Sequence, residues 1–85
     1  MHVNIEDLKN GWHGIHIGIN VDEIDHFIDL LKMIREDHDQ HFHITSDYEG
    51  TGGIGDIEIS IRSKNEKNNM SLSGRALPPG ETINY

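Results

Sequence analysis

The chain of 85 residues contains no cysteine, which excludes disulfide bridges and metal sites built from thiolates. Small secreted domains usually need such covalent staples, so their absence favours a reducing compartment. The segment Met1–Asn10 lacks the basic and apolar regions of a secretory signal. No apolar run approaches the roughly 20 residues that a membrane helix requires. We therefore expect a cytoplasmic domain that makes no contact with a membrane.

Basic residues are scarce: Lys and Arg number 7 against 15 Asp and Glu, for a formal net charge of −8. Binding to nucleic acid depends on clustered cations that neutralise phosphates, so we expect no direct nucleic-acid ligand. A strongly acidic surface instead attracts basic proteins. Solubility alone is the alternative explanation for the charge.

The sequence also lacks the motifs of common catalytic sites. It has no nucleophile elbow, no H-E-x-x-H and no phosphate-binding loop. The glycines between Gly50 and Gly55 lead into a strand rather than a helix, and no lysine follows them, so they are typical of a turn. We expect that the chain is not an enzyme and needs no cofactor.

What the chain does contain is one strongly amphipathic segment, Asn20–Asp39, with helical periodicity. Its apolar stripe comprises Ile24, Phe27, Ile28, Leu31 and Ile34. The opposite side carries an acidic ridge, defined as Asp22, Asp25, Asp29 and Glu36, beside which Met33 lies. Asn20 and Glu23 have the spacing of a capping box at the helix start. One face of this helix is suited to a core and the other to a basic partner.

Alternating apolar and polar residues predict the strands. They are Trp12–Ile19, His41–Tyr48, Ile54–Arg62 and a short final strand in Met70–Leu77. The segment Met1–Gly11 is ambiguous, because it could form either a strand or a helical turn. The second and third strands read as an antiparallel hairpin. The expected fold class is α+β: one helix packed on a small, mostly antiparallel sheet in the order β-α-β-β, with the fourth strand added. Residues 1–77 form the single domain, and 78–85 a loose tail.

The isoleucines of these strands are predicted to face the core together with the helix stripe, Phe42 and, in one interpretation, Trp12. The other interpretation places Trp12 on the surface, where it and Tyr48 would be aromatic anchors of an interface. The predicted partner-binding residues are then the acidic ridge, Met33, Trp12 and Tyr48. The sheet face away from the helix could alternatively pair with a second copy in a homodimer.

Histidine is abundant, with 7 residues in the chain. Strand alternation puts His16, His41 and His43 on the outer sheet face, together with Asp47, Asp56 and Glu58. Such a set can hold zinc or nickel if the strands are neighbours. The alternative is that they are polar residues on an open sheet. We expect no metal and keep these three histidines as the candidate ligands.

The order of elements resembles that of the bacterial immunity protein thirty-two family of polymorphic toxin systems. The similarity lies in the Trp-bearing strand, the acidic helix Val21–Asp37, the segment GGIGDIEISI at Gly52–Ile61 and the trailing ALPPGETI at Ala76–Ile83. It implies a cytoplasmic protein that binds and neutralises a cognate toxin, often a nuclease, without catalysis of its own.

Other functions remain open from the residues. A phage-encoded inhibitor of a defence nuclease would have the same acidic character as an immunity protein. A small metal-binding or enzymatic module built on the histidines is a second possibility. A self-associating structural module is a third.

Overall fold

The computed structural model describes residues 1–72, 74 and 76–82. Its elements are strand β1 (His2–Asp7), strand β2 (His13–Gly18), a 3-10 turn (Val21–Glu23), helix α1 (Ile24–Glu36), strand β3 (His41–Thr45) and strand β4 (Asp56–Ser60). The α+β class predicted from the sequence is confirmed. The order is β-β-α-β-β, and the strands form two separate two-stranded antiparallel sheets rather than one.

The first hairpin joins β1 to β2 through a turn that the sequence left ambiguous. Lys9 and Gly11 both adopt positive φ there, and the Leu8 N–H donates to the Trp12 carbonyl oxygen at 3.1 Å. The register pairs Val3 with Ile17 and Ile5 with Ile15. Since directly opposed residues share a face, one side of this hairpin is aliphatic.

The helix begins where its capping sequence predicts. The Asn20 N–H donates to Glu23 Oε1 at 3.0 Å, and the Met1 ammonium lies 2.8 Å from the same oxygen. The pKa of Glu23 is lowered, first by the hydrogen bond from this ammonium and then by that from the Asn20 backbone. The helix ends at Glu36, where Asp37 turns to extended backbone, so it is shorter than the predicted Asn20–Asp39 segment.

The second hairpin joins β3 to β4 as the sequence predicts. Phe42 pairs with Ile59 and Ile44 with Ile57, so its apolar residues lie on one face. The ten-residue connection between the strands is closed by a hydrogen bond of 2.9 Å from the Ser46 N–H to the Gly55 carbonyl oxygen. Within the connection, Gly50 and Gly53 have positive φ, which favours glycine.

The core lies between α1 and this second hairpin. Ile34 and Phe42 are 5% and 6% exposed, and the ring of Phe27 meets that of Phe42 edge-to-face at a centroid distance of 6.0 Å. Edge-to-face packing is a favoured geometry for aromatic pairs. The helix stripe thus meets the apolar face of β3–β4 through Phe27, as predicted, whereas three other residues of the stripe remain exposed.

Several residues predicted for the core are instead exposed. They are Trp12, Ile15, Ile17, Ile19, Ile24, Ile28, Leu31 and Ile61. Ile15 retains 65% of its surface and Trp12 retains 75%. For the residues of the first hairpin the physical reason is that the prediction assumed a single sheet, whereas these strands form a separate sheet that the helix does not cover. On the helix itself, Ile24, Ile28 and Leu31 stay exposed because the described chain covers only part of the stripe.

The fourth strand predicted over Met70–Leu77 does not form, because none of its described residues belongs to a strand. Ser73 and Arg75 of that segment lie outside the described residues, as do residues 83–85 of the tail. Among the described residues, no helix combines the length and apolarity needed to cross a membrane.

The buried position of Ile34 predicts a large effect on stability. Ile34→Ala truncates one of the two buried core side chains of the described residues and should lower the free energy of unfolding by about 2–5 kcal/mol, as is typical for core truncations. Leu72→Ala is the control, because this side chain is fully exposed, and it should change the value by less than about 0.5 kcal/mol. Urea denaturation followed by circular dichroism measures both. Equal effects would contradict a core at Ile34.

The lowered pKa of Glu23 predicts a pH-dependent contribution to stability. Its charged form stabilises the folded chain above the ordinary pKa of 4.5, and this contribution is lost as the pH falls through the lower folded-state pKa. Glu23→Gln should therefore lower the melting temperature at neutral pH, and the difference from wild type should close as the pH falls below the lowered pKa of Glu23. Asp22→Asn, in the same exposed turn, is the control. If Asp22→Asn showed the same pH-dependent decrease in melting temperature, the interaction of Glu23 with the Met1 ammonium would not be its cause.

Candidate functional site

The outer face of the second hairpin concentrates histidines and carboxylates. The register pairs His43 with Glu58, His41 with Ser60 and Thr45 with Asp56, so these side chains share the face opposite to Phe42 and the helix. We define the histidine–carboxylate cluster as His41, His43, Asp56 and Glu58. Strand alternation correctly predicted that these four residues share one face.

Glu58 lies between the two imidazoles of the cluster. Its Oε1 is 3.5 Å from His43 Nε2 and 3.8 Å from His41 Nε2. The two imidazole rings are 5.0 Å apart at an angle of 79°. All of these side chains are about half exposed, at 42–54%. Solvent therefore reaches the cluster, but three potential donor atoms converge on one small volume.

Asp56 determines how His43 is oriented. Its Oδ1 and Oδ2 lie 2.9 and 3.1 Å from His43 Nδ1. An ionised carboxylate only accepts hydrogen bonds, so Nδ1 must carry the proton. In a neutral imidazole the lone pair then resides on Nε2, the atom nearest to Glu58. This division of roles between the two ring nitrogens could not be foreseen, because it depends on the diagonal placement of Asp56 across the hairpin.

His16, the third metal candidate from the sequence, does not belong to this cluster. It lies on β2 opposite Asn4, in the other sheet. Among the described residues, the group whose donor atoms could jointly hold a metal is His41, His43 and Glu58, with all three atoms within 4.8 Å of one another. The third candidate ligand is therefore Glu58, and not His16 as the sequence pattern predicted.

The acidic ridge lies on exposed turns of the helix. Asp22 belongs to the 3-10 turn, and Asp25, Asp29 and Glu36 belong to α1. Glu36 contacts Arg35 at 3.5 Å with both side chains at least 70% exposed, an arrangement that contributes little energy. In the part of the chain that the structure describes, the other three carboxylates form no ion pair. Met33 beside them is also partly exposed.

The two aromatic candidates lie in loops. Trp12 follows the turn of the first hairpin, so its interpretation as a core residue is wrong. Tyr48 is 69% exposed and lies in the connection between β3 and β4. Its positive φ is accompanied by a hydrogen bond of 2.9 Å from its N–H to Ser46 Oγ. Its ring lies over Gly55, where a Cβ would come within 2.7 Å of the ring. Because glycine has no Cβ, Gly55 leaves room for the ring of Tyr48 in this orientation.

A cleft of about 400 Å³ lies where the first hairpin approaches the second, and sequence reasoning missed it. It is lined by Met1, His2, Val3, Ile44, Thr45, Ser46, Asp47, Ile54 and Ile57. These residues belong to the start of β1, the end of β3, the connection between β3 and β4, and strand β4 itself. Since strand pairing between sheets is not encoded in local periodicity, no pattern in the sequence signals this cleft.

Comparisons of the chain with protein-family models, with curated proteins and with solved structures found no match. The functional assignment therefore depends on the chemistry of the described surface.

Proposed function

We propose that this chain is a non-enzymatic binding protein that neutralises a basic protein partner through the acidic ridge. The observation that carries the proposal is the row formed by Asp22, Asp25 and Asp29. These carboxylates are exposed, and none forms an ion pair within the described part of the chain. Helix spacings of three and four residues place successive side chains about 5–6 Å apart on one face.

Such a row is suited to a cationic surface for electrostatic reasons. The helix backbone holds the charges in fixed relative positions, so little ordering is required when a partner binds. The net charge of −8 adds a long-range attraction that accelerates the encounter with a basic protein. The attraction should weaken as salt shortens the screening length from about 10 Å at 0.1 M.

Exposed apolar groups provide the rest of an interface. Several large apolar side chains keep most of their surface exposed, among them Trp12 at 75%, Tyr48 at 69% and Ile15 at 65%. Met33 borders the ridge, and Trp12 and Tyr48 present rings of the kind that anchor protein interfaces. Exposed apolar side chains of this kind favour association with another protein.

The target that we propose is a toxin of the nuclease type. A nuclease needs a basic cleft to hold phosphates, and a row of carboxylates is complementary to such a cleft. The resemblance to the immunity protein thirty-two family supports the same target class. A phage inhibitor of a defence nuclease would bind by the same physics, so both origins fit the proposed activity.

A double charge reversal tests the ridge. Asp25→Lys/Asp29→Lys changes the net charge by four units, and Glu49→Lys/Glu66→Lys makes the same change away from the helix. Each immobilised variant is exposed to lysate, and retained proteins are identified after low-salt and high-salt washes. We expect wild type and the control to retain a common basic protein that salt releases, and the ridge variant to lose it. Equal retention by the ridge variant would mean that the ridge is merely solvated.

The nuclease assignment is tested on the protein so retained. The purified partner should degrade nucleic acid, and one equivalent of wild-type chain should suppress this activity while the ridge variant should not. A partner that lacks nuclease activity would contradict the toxin class without contradicting the ridge as the binding surface.

Self-association is a second candidate function, favoured by the open aliphatic face of the first hairpin. Ile5, Ile15 and Ile17 share this face and keep 43–65% of their surface exposed. The surface that could pair is thus the isoleucine side of β1–β2, rather than the histidine-bearing face predicted for a homodimer. Two copies that cover these faces would each remove apolar area from water.

Light scattering across a concentration series tests this second function. We expect wild type to show a concentration-dependent increase in mass and Ile15→Lys to abolish it. His16→Lys, on the opposite face of the same strand, is the control and should retain the association. A mass that equals one chain at every concentration would exclude a functional homodimer through this face.

A further inference from the structure

We propose that His41, His43 and Glu58 form a binding site for one zinc-like divalent transition-metal ion, with Asp56 as the residue that orients His43. This proposal is independent of the partner-binding function, since the cluster lies on the second hairpin and the acidic ridge on the helix. It depends on the geometry of four side chains and on the chemistry of their donor atoms.

The donor spacing agrees with a tetrahedral site. Zinc binds imidazole nitrogen and carboxylate oxygen at about 2.0–2.2 Å, so two such ligands at the tetrahedral angle are about 3.3–3.5 Å apart. Glu58 Oε1 lies 3.5 Å from His43 Nε2 and 3.8 Å from His41 Nε2. All three donor atoms lie within 4.8 Å of one another, so side-chain rotations that bring the two imidazole nitrogens closer together would complete the coordination.

Asp56 supplies the outer partner that metal-binding histidines normally have. Ligating imidazoles usually donate their second N–H to a carboxylate or a carbonyl, which sets the tautomer and increases the donor strength of the ligating nitrogen. His43 Nδ1 lies 2.9 Å from Asp56 Oδ1, so its proton is held on the side away from Glu58. His43 is therefore prepared to offer Nε2 as a ligand before any ion arrives.

The hairpin holds the donors on a regular backbone. His41 and His43 are two residues apart on β3 and so project from the same face, and Glu58 is directly opposite His43 on β4. Sites built on strands are positioned more reproducibly than sites built on loops. Two imidazoles and one carboxylate leave a fourth position for water, as in the open zinc sites of metalloenzymes.

Ion pairing between protonated histidines and the carboxylates is the competing description of the cluster. Ion pairs between exposed groups contribute little to stability, so pairing alone gives no reason for three potential metal ligands to converge. The pairing model predicts no selectivity among the seven histidines of the chain for an added metal. The proposed metal site instead attributes the affinity for the metal ion to His41, His43 and Glu58.

Zinc binding to the full, tag-free chain, measured by equilibrium dialysis after treatment with a chelator, tests the proposal. We expect one equivalent of Zn²⁺ per chain. His43→Gln and Glu58→Gln should abolish this stoichiometric binding, and Asp56→Asn should weaken it about 10–100-fold, as loss of outer-shell partners does elsewhere. His16→Gln is the matched control, because His16 is also exposed on a strand, and it should bind as wild type does.

Cobalt substitution supplies a second measurement that reports coordination directly. Co²⁺ in a four-coordinate site with nitrogen ligands gives visible absorption bands that hydrated Co²⁺ lacks, and Glu58→Gln should remove them. Circular dichroism shows whether each variant is folded. If His43→Gln does not fold, Glu58→Gln still tests the proposal. Absence of stoichiometric Zn²⁺ binding, or an equal loss of affinity in His16→Gln, would overturn the proposal.

Discussion

A helix of thirteen residues is about 20 Å long, and this length limits how much sheet α1 can cover. Its stripe packs on the second hairpin, where Ile34 and Phe42 become buried and the ring of Phe27 meets Phe42. The aliphatic face of the first hairpin receives no equivalent cover in the described part of the chain. The small core and the exposed isoleucines of the first hairpin both follow from this single contact between one helix and one hairpin.

Local patterns in the sequence predicted much of this architecture. Alternation gave the positions of β2, β3 and β4, and helical periodicity placed α1 and its acidic ridge. The capping sequence at Asn20 located the start of the helical segment, which opens with the 3-10 turn at Val21 before α1 begins at Ile24. The division into two sheets could not be predicted, because pairing between distant strands depends on tertiary packing rather than on alternation. The same limit explains why Trp12 and Ile15 were assigned to a core that does not reach them.

The candidate site was partly predictable for the same reason. The H-x-H spacing of His41 and His43 guarantees a common face, and the hairpin made Glu58 a plausible neighbour. The hydrogen bond from His43 to Asp56 required the register, which the sequence does not show. The cluster and the ridge lie on separate elements, with the cluster on the hairpin face that the helix does not cover. Binding of an ion at the former therefore need not obstruct a protein docked on the latter.

The pairing of strands in twos has a consequence for handling the protein. In the described chain each strand has a single neighbour, so each also has one edge whose backbone groups are free to pair with another molecule. Mutual repulsion between chains of charge −8 opposes such pairing at low ionic strength. Concentrated salt removes that protection, so a solution that is clear in dilute buffer should become turbid under the very conditions used to elute a basic partner.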